Sequence, residues 1–554
     1  MRVGACVWLA VACVAAGSAG LVGAGEPGFL IREVQVRGDA DVLAREGLLD
    51  SWKAGLTGKT LSPEAIQHQA RKLRDQLRER GYLLAAVRTP PADYASGVVP
   101  IDVDAGRFGR LTLAAPGGGP FPARWFSEEQ LRYRLSGLAE GAPFRESVFY
   151  RHVLGVNSHP DLVLDPALRV RQENEEGLAR RYVDITGAVT ESRPLHAQLT
   201  VDNTGMEATG EWRVSALVQY LNLTRHDDIL SVWLGPVSED SGSSRSAAAS
   251  YLRSHLEGRG GSTLLYGGYS DVEAQEVADL FTLRGKGWFA GLREDWRLAA
   301  NEVREVVFSA GAAWRSQEES VSIDQGALHY EGETRTVSVL PLTVGVQVTP
   351  LGFDRFGGRT FLELEATAGS AAWLGSEEDF ESFRPGAETT YVIGRVRLAR
   401  LQPLAGQGRE RAGEVWMLFG KADAQAANGA LLGAEQLALG GMESVRGFPE
   451  RAVMGDQGGS ASLELRSPLA GFGPSRHVQA VLFADAGHAV SEGEDEVDAV
   501  TLAGAGAGLR LALGRHAQVR IDYGVPVAGA SDVEEQTGVD VASGRVHARA
   551  MVQF

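Results

Sequence analysis

The sequence predicts a membrane-spanning β-barrel of about sixteen antiparallel strands, preceded by two small α+β modules. Three observations indicate this fold. Apolar and polar residues alternate through most of residues 194–554, the alternating segments reach about ten residues, and the first 24 residues have the composition of an export signal. Alternation alone is equally typical of a soluble β-sandwich, so strand length and export favour the barrel over the sandwich.

The composition indicates a folded chain without a nucleic-acid partner. The formal net charge is −17 over 554 residues, and 23% of the residues are charged. This balance gives no basic excess for binding a phosphate backbone. After residue 24 no stretch approaches 18 consecutive apolar residues, so the sequence predicts no transmembrane helix, and a membrane protein is possible only as a barrel.

Residues 1–24 are predicted to be a secretory signal peptide. One positive charge precedes an apolar core, and Val22 and Ala24 are placed as in an A-x-A-like cleavage site. The alternatives are a membrane anchor, for which the apolar part is shorter than the roughly 20 residues required, and a lipoprotein signal at Cys13. Both cysteines, Cys6 and Cys13, lie in this segment, so disulfides and thiolate metal sites are not expected after cleavage.

The segment before the barrel is predicted to form two similar α+β modules, residues 29–109 and 110–190. Each begins with a strand, continues through helix and ends with further strands. The first long helix has the clearest signals, because Ser62 can cap its N-terminus, Pro63 suits its first turn and Gly81 can end it. In the second module a helix opens with the capping-box motif SEEQ.

The barrel is predicted over residues 194–554. The C-terminal segment RVHARAMVQF alternates throughout and ends on the apolar Phe554, which is interpreted as the C-terminal signal recognised by the barrel assembly machinery during biogenesis. An even strand number would place both barrel ends on one side of the membrane. The predicted strands lie near residues 194–203, 211–222, 227–236, 246–256, 262–270, 280–294, 304–316, 334–348, 358–370, 388–402, 412–424, 459–468, 477–486, 498–513, 516–526 and 545–554.

Two motifs in the barrel carry a family resemblance. The stretch GGMESVRGFPERAVMGDQGGSASLELRSPL, followed by VLFADAGHA, resembles the signature of POTRA-containing outer-membrane transporters of the two-partner secretion type. That family exports haemolysin-like or filamentous-haemagglutinin-like proteins. Its VRG(F/Y) loop tip is matched by Val445, Arg446, Gly447 and Phe448, and its F-x-D-x-G wall strand by Phe483, Asp485 and Gly487.

The resemblance implies two POTRA domains in the periplasm and a loop over residues 440–458 that folds into the lumen. It further implies a salt bridge between Arg446 and Asp485, whose groups suit bidentate pairing. The alternative is that Arg446 is a solvated loop residue and that Asp485 merely faces a water-filled lumen. Many family members also carry an N-terminal plug helix, and none is expected here because the first POTRA-like strand begins at Phe29.

A glycine-rich stretch and two histidines could indicate a cofactor or metal site, but they have simpler interpretations. GAGAGLRLALG, which begins at Gly504, lacks the third glycine of a dinucleotide-binding motif and fits a barrel wall of small residues. His152 and His159 have no accompanying set of carboxylate and histidine ligands, so they are assigned to the fold or the surface. No catalytic residue, metal site or cofactor is predicted, and the chain is not expected to be an enzyme.

The expected function is an outer-membrane pore that secretes an unfolded exoprotein, a TpsA-like client, captured by the POTRA domains. The expected partners are this client, outer-membrane lipids and the barrel assembly machinery, and no nucleic acid. The main rival is a factor that assembles proteins into the outer membrane with the same scaffold. A passive porin or adhesin would not need the tandem modules, and an exported β-sandwich enzyme would require that there be no barrel.

Overall fold

The computed structural model describes residues 28–554, except 158, 176, 207–208, 239–243, 256–260, 277–280, 301–302, 326–327, 405–412, 474 and 493–496. The predicted signal peptide lies outside the described residues, as does the stretch that bears on the plug helix. Two compact units are present: the first runs to residue 191 without residues 125–127, which belong to the second unit with residues 192–554. No helix among the described residues is long and apolar enough to cross a membrane.

The first module of the N-terminal unit is a three-stranded sheet with helices packed around one apolar core. Strand β2 is parallel to β5, and β4 is antiparallel to β5, while β1 and β3 form a separate pair. The sequence did not predict α1 and α2, which are short helices of six and eight residues. The elements are β1 Phe29–Leu30, β2 Glu33–Gly38, α1 Ala40–Arg45, α2 Leu49–Leu56, β3 Thr60–Leu61, α3 Pro63–Glu79, β4 Ala86–Arg88 and β5 Val98–Asp104.

Helix α3 confirms the predicted local signals. The Oγ of Ser62 accepts a hydrogen bond from the backbone N–H of Ala65 at 3.2 Å, and Pro63 occupies the first helical position. Gly81 follows the helix with a φ of +92°, which suits a glycine after a helix end. The apolar stripe of the helix is buried in the core of the module and consists of Ile66, Ala70, Leu73 and Leu77.

The second module repeats the strand arrangement of the first. Its first and last strands, β6 and β8, are parallel, and β7 is antiparallel to β8. The order β6-β8-β7 therefore matches the order β2-β5-β4, as the prediction of two similar modules requires. Its elements are β6 Arg107–Ala114, α4 Glu128–Arg134, α5 Glu146–Asn157, β7 Leu162–Glu175 and β8 Leu178–Glu191.

Ion pairs join the two modules within this unit. Asp39, which is 1% exposed, accepts hydrogen bonds from Arg107 and from Arg180, the latter at 2.9 Å. Asp104 pairs with Arg181 at 2.9 Å. Asp39 follows β2 and Asp104 ends β5 of the first module, whereas the arginines lie in β6 and β8 of the second, whose first strand begins at Arg107 and so before the predicted boundary at residue 110. The junction is therefore held by buried, directional contacts.

The second unit is a closed antiparallel barrel in which β9 pairs with both β10 and β29. The described residues give the predicted sixteen wall strands, because β16, β17 and β18 follow one another along β15 and β24 and β25 follow one another along β26. Strands β14 and β15 are 20 and 22 residues long, and both extend beyond the C-terminal ends of the predicted ranges 280–294 and 304–316.

The strands of this unit are β9 Leu195–Asp202, β10 Arg213–Leu221, β11 Asp228–Ser238, β12 Ser244–His255, β13 Gly261–Glu276, β14 Phe281–Ala300, β15 Arg304–Gln325, β16 Leu328–Glu331, β17 Arg335–Val339, β18 Leu342–Pro350, β19 Arg359–Ser370, β20 Thr390–Pro403, β21 Met417–Ala427, β22 Leu437–Leu439, β23 Val453–Gly455, β24 Gln457–Arg466, β25 Ala470–Gly473, β26 Arg476–Glu492, β27 Val497–Leu513, β28 Ala517–Ala528 and β29 Arg545–Gln553.

The apolar face of the alternating strands β28 and β29 points outward. In β28 Ile521 and Tyr523 are 40% and 48% exposed, whereas Asp522 between them is fully buried. In β29 Val546 is exposed and His547 is buried in the same way. A soluble sandwich would bury the apolar face instead, so this orientation is the one required of a barrel in lipid. Phe554 is exposed and pairs through its backbone with Ala197 where the barrel closes.

Three short helices lie in the loops of the barrel, and the sequence did not predict them. The helices α6 Ala371–Leu374 and α7 Glu377–Phe383 connect β19 to β20, and α8 Ala530–Thr537 connects β28 to β29. Each has eight residues or fewer, which is too short for a helical period to stand out from the neighbouring alternation.

The cap of α3 gives a direct test of the first module. Replacing Ser62 with alanine removes the acceptor for the Ala65 N–H, and we expect the free energy of unfolding of the N-terminal unit to fall by about 1 kcal/mol. Urea denaturation of a fragment spanning residues 28–191 measures this change. The matched control is Ser147→Ala, an exposed serine of α5 that has no side-chain hydrogen bond among the described residues; an equal loss in both variants would contradict the capping role.

Candidate functional site

The connection between β21 and β24, residues 428–456, is called the inward loop here. Its two arms pair as the short strands β22 and β23, with Leu437 opposite Gly455 and Leu439 opposite Val453. Its tip contacts side chains of β24, β26 and β28 that lie on the face opposite to the exposed apolar one. The loop therefore lies in the lumen. It begins earlier than the predicted range of 440–458, whose last two residues already belong to β24.

The guanidinium of Arg446 lies among three carboxylates of the wall. Its Nε and Nη2 donate to Oδ2 and Oδ1 of Asp485 at 2.7 and 2.8 Å. Its Nη1 donates to Glu464 at 2.7 Å and to Asp522 at 3.3 Å, and Nη2 also donates to Ser462 at 3.0 Å. The structure thus brings the two residues of the predicted salt bridge together in the bidentate geometry that suits these groups.

Asp485 depends on Arg446 for charge compensation, whereas the other two carboxylates have additional arginine partners. Glu464 also pairs with Arg466 at 2.6 Å, and Asp522 also pairs with Arg520 at 2.9 Å. Among the described residues, Arg446 is the one ion-pair partner of Asp485. The Asp485 side chain is fully buried, so loss of Arg446 would leave its charge without compensation.

Apolar contacts hold the residues on either side of Arg446. The Cζ of Arg446 lies 3.5 Å from the ring centroid of Phe483, so the guanidinium stacks on this ring. Val445 and Phe448 are fully buried. They belong to a cluster that joins the inward loop to the wall and to α8, and this cluster contains Leu439, Val445, Phe448, Ala452, Val453, Ala489, Val500, Leu502, Val533 and Val541.

Glycines allow the backbone of the tip to approach the wall closely. Gly447 has a φ of +101°, which is strained for residues with a side chain. A Cβ added to Gly504 of β27 would lie only 2.0 Å from the carbonyl oxygen of Arg446. This contact gives a physical reason for the small residues of GAGAG. Gly487 in turn faces Leu439 and Val445, at 3.0 Å from the position of an added Cβ.

Sequence reasoning missed a further anchor of the inward loop. Glu435 is 2% exposed and pairs with Arg315 of β15 and with Arg395 of β20, the latter at 3.1 Å. The Nε2 of Gln425 donates to the carbonyl oxygen of Glu435 at 2.9 Å. The two arginines lie 120 and 40 residues from Glu435 along the chain, and no local motif marks such a pairing.

The two histidines considered as metal ligands have local partners. The Nδ1 of His152 lies 2.6 Å from the carbonyl oxygen of Arg134, and the Nδ1 of His159 accepts a hydrogen bond from the backbone N–H of Asp161 at 3.1 Å. Within the part of the chain that the structure describes, no group of three His, Cys, Asp or Glu residues is arranged to hold a metal ion.

A closed barrel with α+β modules and a lumenal loop defines a protein of the outer membrane. Residues 182–511 match the family of haemolysin secretion/activation proteins ShlB/FhaC/HecB, and residues 29–106 match the ShlB-type POTRA domain. The chain therefore belongs to this family of two-partner secretion transporters. Its members are transporters of the outer membrane, and their POTRA domains lie in the periplasm, which gives this chain the same location.

Individual relatives agree with this placement. The outer membrane transporter CdiB of Escherichia coli is 25% identical over 521 residues, which are 90% of this chain and 79% of that protein. The solved structure of CdiB from Escherichia coli has a TM-score of 0.72 at 20% identity and covers 97% of this chain and 93% of its own. BamA from Haemophilus ducreyi lacking POTRA domains 1–3 has a TM-score of 0.53 at 15% identity, covering 95% of this chain and 100% of its own. At these identities the two structures show the shared fold alone.

The different dependence of the three carboxylates on Arg446 predicts unequal couplings. We expect a double-mutant cycle of Arg446→Ala with Asp485→Ala to give a coupling of about 1–3 kcal/mol. The cycle with Glu464→Ala should give a smaller coupling, because Glu464 keeps Arg466. The measurement is the rate at which an impermeant maleimide labels Ala452→Cys in the inward loop on intact cells, since this residue is 8% exposed when the loop is closed.

This labelling has no background from residues 25–554, because both cysteines of the chain are Cys6 and Cys13. Each variant is compared at equal barrel amounts, judged from its heat-modifiable migration on an unboiled gel. Strictly additive effects of Arg446→Ala and Asp485→Ala would show that the pair does not hold the loop. They would leave Arg446 as a loop residue without that role.

Proposed function

We propose that this chain secretes one exoprotein client in an unfolded form across the outer membrane, and that the POTRA unit captures it. Membership of the transporter family supports export as the general role. The observation that carries the finer proposal is an unpaired strand edge in the second module. Strand β6 pairs with β8 on one side, and among the described residues no strand lies along its other edge.

That edge borders a groove suited to an extended peptide. Residues 109–112 of β6 form one wall of the groove, and the segment from Arg132 to Glu140 forms the other, enclosing about 540 Å³. Backbone contacts with residues 141–143 cover Arg107 and Phe108 at the start of the strand, and Nη1 of Arg132 donates to the carbonyl oxygen of Leu111 at 3.4 Å. An extended client segment can add to such an edge through main-chain hydrogen bonds, which require little side-chain specificity.

The inward loop supports a gated pore rather than an open one. It occupies the lumen at rest and is held there by the contacts of Arg446, so passage of a polypeptide requires the loop to move. We propose that Arg446 and Asp485 act as the latch that holds the loop in place. A buried ion pair suits this role because its geometry has two distinct states, made and broken, rather than a continuous range.

Assembly of proteins into the outer membrane is the second candidate. It shares the fold, as the likeness to BamA shows, but it needs a client that enters the membrane rather than one that leaves the cell. The free β6 edge is compatible with both roles. Only the destination of the client separates them.

Deleting residues 29–190 tests the division of labour between the two units. We expect the remaining barrel to insert and to migrate heat-modifiably, while export of the client falls to background, because capture and insertion use separate compact units. The readout is the amount of client in the medium, with the N-terminal secretion domain of a haemagglutinin-like exoprotein as the probe. Normal export by the truncated barrel would contradict capture by the POTRA unit.

Crosslinking tests which edge binds. A benzophenone attached to Thr112→Cys on the β6 edge should crosslink the client domain, since Thr112 is exposed and borders the groove. The matched control is Val170→Cys, which is 53% exposed on β7, the opposite edge strand of the same sheet. Crosslinking at Val170 but not at Thr112 would move the capture site to β7. Accumulation of the captured client in the outer membrane instead of the medium would favour assembly.

A further inference from the structure

The connection between β19 and β20, residues 371–389, is called the outer loop here, and it contains the helices α6 and α7. The N-terminus of α7 has a complete capping box: the Asp379 N–H donates to the Oγ of Ser376 at 3.1 Å, and the Ser376 N–H donates to Asp379 at 2.9 Å. Arg335 of β17 donates to the carbonyl oxygen of Ser382 at 2.7 Å. The loop is therefore ordered by its own sequence and fastened to the neighbouring strand.

The outer loop packs directly on the inward loop. Phe380 of α7 is fully buried, and Ala387 at the end of the loop is 7% exposed. They belong to one apolar cluster that includes two residues of the inward loop, Leu431 and Leu432. The whole cluster consists of Val337, Val339, Ala371, Phe380, Ala387, Tyr391, Ile393, Leu431 and Leu432. Displacing the outer loop would expose this cluster to water.

Arg384, at the end of α7, joins the outer loop to the inward loop through an ion pair. Both of its Nη atoms donate to the carboxylate of Asp456, the Nη2–Oδ2 distance being 2.8 Å. It also donates to the carbonyl oxygens of Leu431 and Glu492 and to the Oγ of Ser491. The side chain of Asp456 is fully buried and that of Arg384 is 18% exposed. One guanidinium thus connects the outer loop with both arms of the inward loop and with β26.

Asp456 has further partners that do not involve the outer loop. Its carboxylate accepts hydrogen bonds from the backbone N–H of Leu431 at 2.9 Å and of Glu492 at 2.8 Å, and from Gln436 at 3.1 Å. These bonds hold the base of the inward loop even when Arg384 is absent. Removing Arg384 should therefore free the outer loop and leave the inward loop closed.

We propose that the outer loop is a second gate of the barrel, closed onto the inward loop by the Arg384–Asp456 ion pair and released separately from the Arg446 contacts. The two ion-pair groups share no residue. Because Asp456 lies at the base of the inward loop and Arg446 at its tip, each can break while the other persists. The inference concerns closure of the barrel at rest, and it does not rest on the identity of the client.

Two buried reporters distinguish the movement of the two loops. Ala387→Cys reports on the outer loop, and Ala452→Cys reports on the inward loop, each placed in an otherwise unchanged full-length chain. On intact cells, Arg384→Ala should raise the rate at which an impermeant maleimide labels Ala387→Cys by about tenfold or more, because it removes one partner of a buried pair. It should leave the labelling of Ala452→Cys within about twofold, whereas Arg446→Ala should show the reverse pattern.

Arg397→Ala is the matched control. It removes the same charge from the lumenal face of β20, where Arg397 pairs only with the wall residues Glu363 and Asp423 in the described part of the chain, at 3.0 Å each. We expect no acceleration at either reporter. Arg384→Lys keeps the charge but loses the planar fork, so its effect should lie between those of the parent and Arg384→Ala.

Three results would overturn the proposal. Equal labelling of Ala387→Cys in the Arg384→Ala and Arg397→Ala backgrounds would show that the pair does not hold the outer loop. Equal acceleration at both reporters by Arg384→Ala would show that the loops move as one body. If Arg384→Ala does not reach the membrane at normal levels, Arg384→Gln replaces it, and unchanged labelling of Ala387→Cys in that variant would equally reject an outer loop held by the ion pair.

Discussion

Burial of the Arg446 guanidinium is the constraint on which the lumenal architecture depends. A charge that is 2% exposed must have its donors satisfied, and here Asp485, Glu464, Asp522 and Ser462 accept from Nε and both Nη atoms. These acceptors belong to three different strands, so each strand must hold its register. Asp485 lies opposite Ser462 on one side and Gly504 on the other. A slip of one residue would turn Asp485 toward lipid and remove the glycine that admits the tip.

The lumen at this point is not the water-filled space that the alternative interpretation of Arg446 and Asp485 requires. A solvated pore would screen the pair, yet the carboxylates of Asp485 and Asp522 are fully buried. The inward loop itself excludes the water, because its apolar residues on either side of Arg446 seal against β26, β27 and α8. Charge and apolar packing therefore support each other: the cluster keeps the ion pair dry and strong, and the ion pair sets the position at which the cluster can form.

The sequence predicted those features that depend on residues close together in the chain. The cap of α3, the outward apolar faces and the sixteen wall strands follow from residues close together in the chain. Arg446 and Asp485 were found through motifs, although Glu464 and Asp522 beside them were not. The Glu435 and Asp456 anchors escaped prediction because their partners lie far away in sequence, Arg384 being 72 residues from Asp456. Such pairs depend on which strands and loops become neighbours in the closed barrel. The amino-acid sequence alone does not reveal these neighbours.

In the periplasmic unit, buried ion pairs orient two sheets relative to each other. Its two sheets have free edges, and the unpaired backbone N–H and C=O groups of a free edge can pair with any extended chain. The bonds of Asp39 to Arg107 and Arg180 and the bond of Asp104 to Arg181 fix the orientation of one sheet relative to the other. Arg107 begins β6, so the same residue that joins the modules also starts the strand that borders the groove. A client segment added to β6 would therefore meet a surface whose position is set by the first module, and changes at Asp39 would act on binding without touching the bound chain.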